Sequence, residues 1–146
     1  MKKIILIGII ALVSAAGGIG YYMWNKPKTT AKEVQPAFII TADSLASAFM
    51  KNDTIASKQY VNDKVAIEIS GVIDSTFVNE GNEFVIILKT KQEAPVVCFF
   101  IPNQSDNGNP SSFTKNNEVI IKGFCGGLNG ELFPEVQMTK CFIRKK

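Results

Sequence analysis

The sequence predicts a mainly β domain, a five-stranded barrel, preceded by a short helical segment and an N-terminal transmembrane helix. Three observations carry this. In Lys64–Asp74 the residues Val65, Ile67, Ile69 and Ile73 fall two apart, with Gly71 in the one gap of that row. That alternation is a half-buried strand, and a glycine inside it marks a bend or bulge. Four further short apolar runs follow, each bounded by turn-forming residues. Ahead of them all, Ile4–Trp24 is an uncharged run of 21 residues. A long strand that bends in its middle can serve two sheets at once, as the first strand of a small closed barrel must.

The apolar run comes first in the chain. As a helix, 21 residues would span roughly 30 Å, the thickness of a bilayer core. Lys2 and Lys3 precede it, and Tyr21, Tyr22 and Trp24 cluster at its far end, where aromatic rings favour the interface. A cleaved signal peptide, cut after Val13-Ser14-Ala15, is the competing reading. Apolar character that continues to the aromatic cluster favours a retained anchor. No cysteine precedes Cys98, which excludes a lipidation signal at the end of the run. The expected placement is single-pass in the inner (cytoplasmic) membrane, with the domain outside the cytoplasm. Residues 1–24 are thus the anchor or signal segment, 25–40 a polar linker, and 41–146 the folded domain.

Charge follows the same division. The chain carries +3 overall, yet Glu33–Ile143 holds eight basic residues against thirteen acids, a balance of −5. Basic ends around an acidic body are the reverse of the pattern a nucleic-acid binder shows. Histidine is absent. This removes His-based triads, most zinc sites and a pH switch near neutrality.

Thr41–Asn62 reads as helix. Thr41 is placed to cap it, Asp43 suits the first turn, and Leu45, Ala48 and Phe49 share a face. Asn52-Asp53 interrupts, and Asp53 or Thr54 is the expected cap of a second short helix carrying Ile55, Ala56 and Tyr60. After the opening strand, Asn79–Asn82 is a turn. Phe84–Leu88 and Val96–Ile101 are strands apolar on both sides, which need cover on both faces. Pro102–Thr114 is a polar loop, Glu118–Phe124 the fourth strand, Cys125–Pro134 a glycine-rich loop and Glu135–Ile143 the fifth strand.

Five strands with a bent, glycine-bearing first strand describe an OB-fold barrel. The chain resembles the bacterial tRNA-anticodon-like OB-fold family, which includes lipoproteins and membrane-anchored proteins. The resemblance rests on a helix ending near Tyr60, Lys64-Val65 leading to Ser70-Gly71-Val72, and Val97-Cys98-Phe99. It continues in Val119–Gly123, Cys125-Gly126 and Lys140-Cys141-Phe142-Ile143. It implies an OB fold and a binding role. It brings no ligand and no catalytic residue.

Cys98, Cys125 and Cys141 are spaced 27 and 16 residues apart. In an oxidising compartment one disulfide is the simplest reading, with Cys98–Cys141 and Cys125–Cys141 both open. Buried free thiols are the alternative, and the spacing lacks the paired Cys-x-x-Cys of zinc ribbons. Gly126, Gly127 and Gly130 do not follow the phosphate-loop pattern. Glu68, Asp74, Glu80 and Glu83 are expected at exposed strand and turn positions.

If Cys98 points inward, Val97, Phe99 and Ile101 point outward, beside Val85, Ile87 and Lys89 of the preceding strand. This is an apolar platform with one lysine, best suited to helix packing or to a protein partner. Leu128 and Phe133, in the glycine-rich loop, complete the candidate ligand face. The expected function is a non-catalytic, membrane-anchored binding module with no metal, no cofactor and an envelope protein as its partner. Single-stranded nucleic-acid binding is the alternative, because OB folds stack bases on these strands.

Overall fold

The computed structural model describes residues 33–101 and 112–144, together with 17, 18, 21 and 31. Among these, no helix is long and apolar enough to cross a membrane. The run Ile4–Trp24, on which the transmembrane expectation rests, lies outside the described residues except for 17, 18 and 21.

The described elements are β1 (Pro36–Thr41), α1 (Ala42–Lys51), α2 (Asp53–Tyr60), β2 (Ala66–Val78), β3 (Phe84–Lys89), β4 (Val96–Phe100), β5 (Glu118–Asn129) and β6 (Glu135–Ile143). The order in the sheet is β1-β2-β3-β4-β6-β5, and β2 also pairs with β5. That last pairing closes β2 to β6 into a five-stranded barrel of OB type, with β4 and β6 parallel and the other neighbours antiparallel.

β2 is the strand that makes closure possible. Its first half, Ala66–Ser70, pairs with β1, and its second half, Val72–Val78, pairs with β3. Gly71 sits at the changeover. A Cβ there would lie 3.1 Å from the Ala42 Cβ and 3.1 Å from the Leu88 Cδ1. The missing side chain therefore lets the start of α1 and the end of β3 approach the bend. The strand runs four residues beyond Asp74, to Val78.

β1 corrects the expected linker. Pro36–Ile40, placed in the linker by the sequence, forms with Thr41 a strand parallel to β2. Phe38 and Ile40 pack against the main core. The folded domain therefore begins at least five residues before 41.

Thr41 caps α1 as expected, its Oγ1 accepting from the Ser44 backbone N–H at 3.1 Å. α2 is capped by Asn52 rather than Asp53 or Thr54, its Oδ1 accepting from the Ile55 N–H at 3.0 Å. An amide oxygen one residue earlier leaves Asp53 in the first turn, where its charge suits the helix dipole. Asp43 also accepts from the Lys91 backbone N–H at 2.7 Å, tying α1 to the β3–β4 turn.

Leu45, Ala46 and Phe49 of α1 are buried in the same core as Ile67, Ile69, Ile73, Ile86, Leu88, Ile121 and Met138. The helices thus join the barrel interior. They do not form the cover over the outer faces of β3 and β4 that the two-sided apolar strands suggested. Phe84 packs near Phe100 and Phe113, with ring centroids 5.5 and 6.0 Å away.

Two of the bulges set the faces of β5 and β6. Between Phe124 and Lys122 of β5, β6 advances from Thr139 to Phe142, one residue more than its partner. β4 records the same extra residue between Cys98 and Phe100. The residue in this gap is Lys140, whose φ of 50° is left-handed. β5 has its own extra residue between Cys125 and Gly127, where Gly127 takes φ +100°. Cys125–Asn129, read as loop from its glycines, is therefore the end of a strand, and the β5–β6 turn is confined to 130–134.

Candidate binding face

The strand period and the registers define the outer face. Ile86, Leu88, Val96, Cys98, Phe100, Val136 and Met138 belong to the core. Their neighbours Val85, Ile87, Lys89, Val97, Phe99 and Gln137 lie on the opposite side of the sheet. Val85 is paired with Phe99, Ile87 with Val97, and Val97 with Gln137. The residues singled out on β3 and β4 thus share one face.

They are not equally available. Val85 is 0% exposed and Val97 4%. Ile87 and Phe99 are half-buried and Lys89 is exposed. Leu128 packs against the main core, away from the role in ligand contact expected of it. Phe133 is 87% exposed in the β5–β6 turn, beside Leu132 at 88%. Of the expected set, Phe99 lines a cavity.

That cavity has a volume of about 410 Å³ and is lined by Glu83, Phe99, Phe100, Ile101, Gln137, Thr139 and Lys140. The β2–β3 turn, Asn79–Glu83, stands at one end of β3, near Phe99. It is braced by its own asparagine: the Asn79 Oδ1 accepts from the Glu83 backbone N–H, and its Nδ2 donates to the Glu83 carboxylate, both at 2.9 Å. The β5–β6 turn stands at the other end, next to Val136. Each turn carries acids: Glu80 and Glu83 at the first, Glu131 and Glu135 around the second. Gln137 donates to the Glu135 carboxylate at 2.7 Å. Lys140 reaches across to β5, its Nζ 5.8 Å from the centre of the Phe124 ring, a cation–π approach.

The lining set offers two aromatic rings, Phe99 and the more deeply buried Phe100, with an amide, a hydroxyl, a carboxylate and an ammonium. Such groups hold a ligand by stacking, hydrogen bonding and charge. They contain no nucleophile with a base beside it. Gln137, Thr139 and Lys140 were not legible as site residues, because β6 looked like an ordinary closing strand. The signal was present: Val136, Met138, Cys141 and Ile143 step by 2, 3 and 2 residues, which betrays the bulge that turns Lys140 outward.

The cysteines lie inside the barrel, away from this face. All three are buried free thiols. The simplest expectation, a disulfide, is not what the structure contains. Burial pushes the Cys125 thiol up to about 11, against a smaller opposing hydrogen bond from the Gly127 backbone. Burial also pushes Cys141 well above the usual thiol range, helped by a hydrogen bond with Cys98 and by the nearby charges Cys98 and Cys125 would carry. These groups are neutral thiols near pH 7, packed as small apolar residues.

Glu68 departs most from expectation. It sits in the outward row of β2, yet it is 5% exposed. One guanidinium nitrogen of Arg144, Nη1, donates to both carboxylate oxygens at 2.9 Å. Lys122, directly across the strand pair from Glu68, donates to the Val34 carbonyl at 3.0 Å. A second cavity of about 380 Å³ opens here, walled by Glu33–Pro36, Ile39, Glu68, Lys122, Phe142 and Arg144.

Comparison with known proteins agrees with the barrel. A putative nucleic acid-binding lipoprotein from Klebsiella pneumoniae has a similar structure, with a TM-score of 0.57 and 15% sequence identity over 78% of this chain and 94% of that one. Two OBodies bound to hen egg-white lysozyme are more distant. Both have a TM-score of 0.37, with 12% and 15% identity over 56% of this chain and 83% and 96% of theirs. No curated protein matches the sequence. The tRNA_anti-like family model matches residues 1–134, and the chain belongs to that family.

Proposed function

We propose that the chain is a non-catalytic binding module, held at a membrane by its N-terminal run and displayed outside the cytoplasm. In this reading the outer face of β3, β4 and β6 grips an extended segment of an envelope protein. The observation that carries it is the cavity of about 410 Å³ in which Phe99 meets Gln137, Thr139 and Lys140. An apolar floor with a few polar groups is the usual make-up of a recognition site. The turns at its ends carry Glu80, Glu83, Glu131 and Glu135, so a segment with basic residues at its ends complements it.

The test is crosslinking in cells from a photoreactive residue at position 99, with position 70 as the control outside the face. The expected result is a discrete protein adduct from position 99, lost when Lys140 is changed to Glu. No adduct, or the same adducts from both positions, would refute the reading.

A second reading, single-stranded nucleic acid, draws on the family and on the name of the Klebsiella protein. Phe99 with Lys140 and Lys89 supplies a stacking ring and two cations. Against it stand the acids at both ends of the face. Anisotropy of labelled oligonucleotides at low salt decides: binding at micromolar protein that weakens steeply with salt supports it, and a flat titration removes it.

A further inference from the structure

The β5–β6 turn requires glycine where it begins. Gly130 takes φ +86°, and a Cβ there would run into the Phe133 carbonyl. The left-handed backbone and the close approach both exclude a side chain. The residue before it is Asn129, the last of β5, exposed and paired with Glu135 of β6. The turn therefore sets an asparagine directly before an obligatory glycine, at the surface.

The asparagine side chain is turned onto the backbone that follows it. The Gly130 N–H donates to the Asn129 Oδ1 at 3.0 Å. The amide carbon Cγ is one bond from that oxygen. The Gly130 nitrogen thus lies beside the carbon it would attack to close a five-membered ring. Asn52, Asn62 and Asn79 are held differently. Their Oδ1 atoms accept from the N–H groups of Ile55, Lys64 and Glu83, two to four residues on. Their next residues, Asp53, Asp63 and Glu80, also carry side chains that crowd the attacking nitrogen. Glycine has none.

We infer that Asn129 is a self-acting modification site, converted by Gly130 to aspartate and isoaspartate. The Gly130 nitrogen bonds to Cγ, and its proton leaves with the side-chain NH2 as ammonia, giving a cyclic imide. Holding the two reacting groups together removes much of the entropy cost of that step. Water then opens the imide. Breaking the N–Cγ bond leaves aspartate in an ordinary main chain. Breaking the other N–C bond leaves isoaspartate, whose main chain runs through the side chain and is one carbon longer. Either product adds a carboxylate near Glu131 and Glu135, at that end of the candidate face. Isoaspartate also displaces the Asn129–Glu135 rung, which loosens the turn carrying Leu132 and Phe133, 88% and 87% exposed. The chemistry stands whatever the face binds.

The full chain is incubated in warm neutral buffer, either folded or unfolded in guanidinium, and then digested with trypsin. The peptide of residues 123–140 holds Asn129 as its one asparagine, and the other Asn-Gly pair, Asn107-Gly108, falls in a separate peptide. The expected result is a gain of one mass unit in the first peptide, at least as fast from the folded chain as from the unfolded one. The product should accept a methyl group from a protein-isoaspartate methyltransferase. Asn129→Gln, whose ring would be six-membered, should abolish both signals, and its exposed position leaves folding intact. Slower conversion in the folded chain than in guanidinium overturns the inference, because the turn would then hold the two groups apart. The isoaspartate form, separated by ion exchange, should lose hydrogen-exchange protection across residues 128–136, while Asn129→Asp keeps it. Equal protection in the two overturns the loosening of the turn.

Discussion

Replacing Gly71 with alanine tests whether β2 bends where its partners change. The new Cβ would meet the Ala42 Cβ and the Leu88 Cδ1, each at 3.1 Å. Carbon atoms prefer about 3.5–4.0 Å, so both contacts are short by about half an ångström. The Leu88 methyl can swing aside. The Ala42 Cβ cannot move without α1, because it is fixed to the helix backbone. Overpacking of this kind costs about 1–3 kcal/mol. Opposing it, alanine lowers the entropy of the unfolded chain and contributes about 0.4–1 kcal/mol. The clash wins, and a net loss of about 1 kcal/mol is expected. Urea unfolding followed by circular dichroism should show a midpoint lowered by roughly 0.5–1 M, with a slope near 1.5 kcal/mol/M. Ala42→Gly removes the methyl that cannot yield. In that background Gly71→Ala should cost nothing or stabilise. If Gly71→Ala leaves the midpoint unchanged in the native background, or costs the same in both, the close approach at the bend is not what requires glycine.

Three further outcomes follow from the same geometry. Arg144→Ala strips the buried Glu68 carboxylate of its cation and should destabilise by about 1–2 kcal/mol, less than for a fully buried pair because Arg144 itself is largely exposed; Glu68→Gln should restore part of the loss in a denaturation series. The Cys125 thiol is held neutral, its folded pKa raised from 9.0 to about 11, so the unfolded chain ionises first as pH rises. Its contribution is complete below pH 9 and lost between about 9 and 11, worth about 3 kcal/mol at 1.36 kcal/mol per unit. Cys141 shifts the same way; Cys125→Ala should flatten the alkaline limb of a stability–pH curve, and a curve rising through that window would contradict the burial. Lys140→Gly relieves a left-handed lysine and should raise the unfolding free energy by about 0.5–1 kcal/mol, while abolishing the crosslink from position 99.

The alternation Ile67, Ile69, Ile73 made β2 legible, and the Thr41 cap made the start of α1 legible, because both signals are local. β1 was hidden because it has no clean period. Ala37 and Ile39 face solvent while Phe38 and Ile40 pack inward, so every position but its first and last is apolar. The end of β5 was hidden because Gly126 and Gly127 have no side chains to report a face. Glu68 was misjudged for a different reason. Its place in the outward row was right, but its cation comes from Arg144, 76 residues away, and β1 lies alongside it. On the candidate face, Phe99 could be found from the inward Cys98. Gln137, Thr139 and Lys140 depended on a parallel β4–β6 pairing that no local pattern announces.

The bulge in β6 separates what the fold requires from what it leaves to choice. Without the extra residue, the inward row set by Val136 and Met138 would continue to Lys140 and Phe142. That would bury an ammonium and expose Cys141 and Ile143, now 0% and 5% exposed. Turning Ile143 outward alone would forfeit about 2 kcal/mol, and burying an unpaired lysine would cost more. A left-handed residue costs about 1–3 kcal/mol when it is neither glycine nor asparagine. The fold therefore favours a bulge at this point on packing grounds alone. Packing does not require the bulged residue to be lysine, since glycine would adopt φ 50° without strain and leave the core unchanged. What lysine adds lies outside the core: an ammonium at the rim of the Phe99 cavity, held in place over the Phe124 ring. Strain that packing could have avoided, at the residue that brings a charge to the candidate face, is the strongest local reason to look for a ligand there.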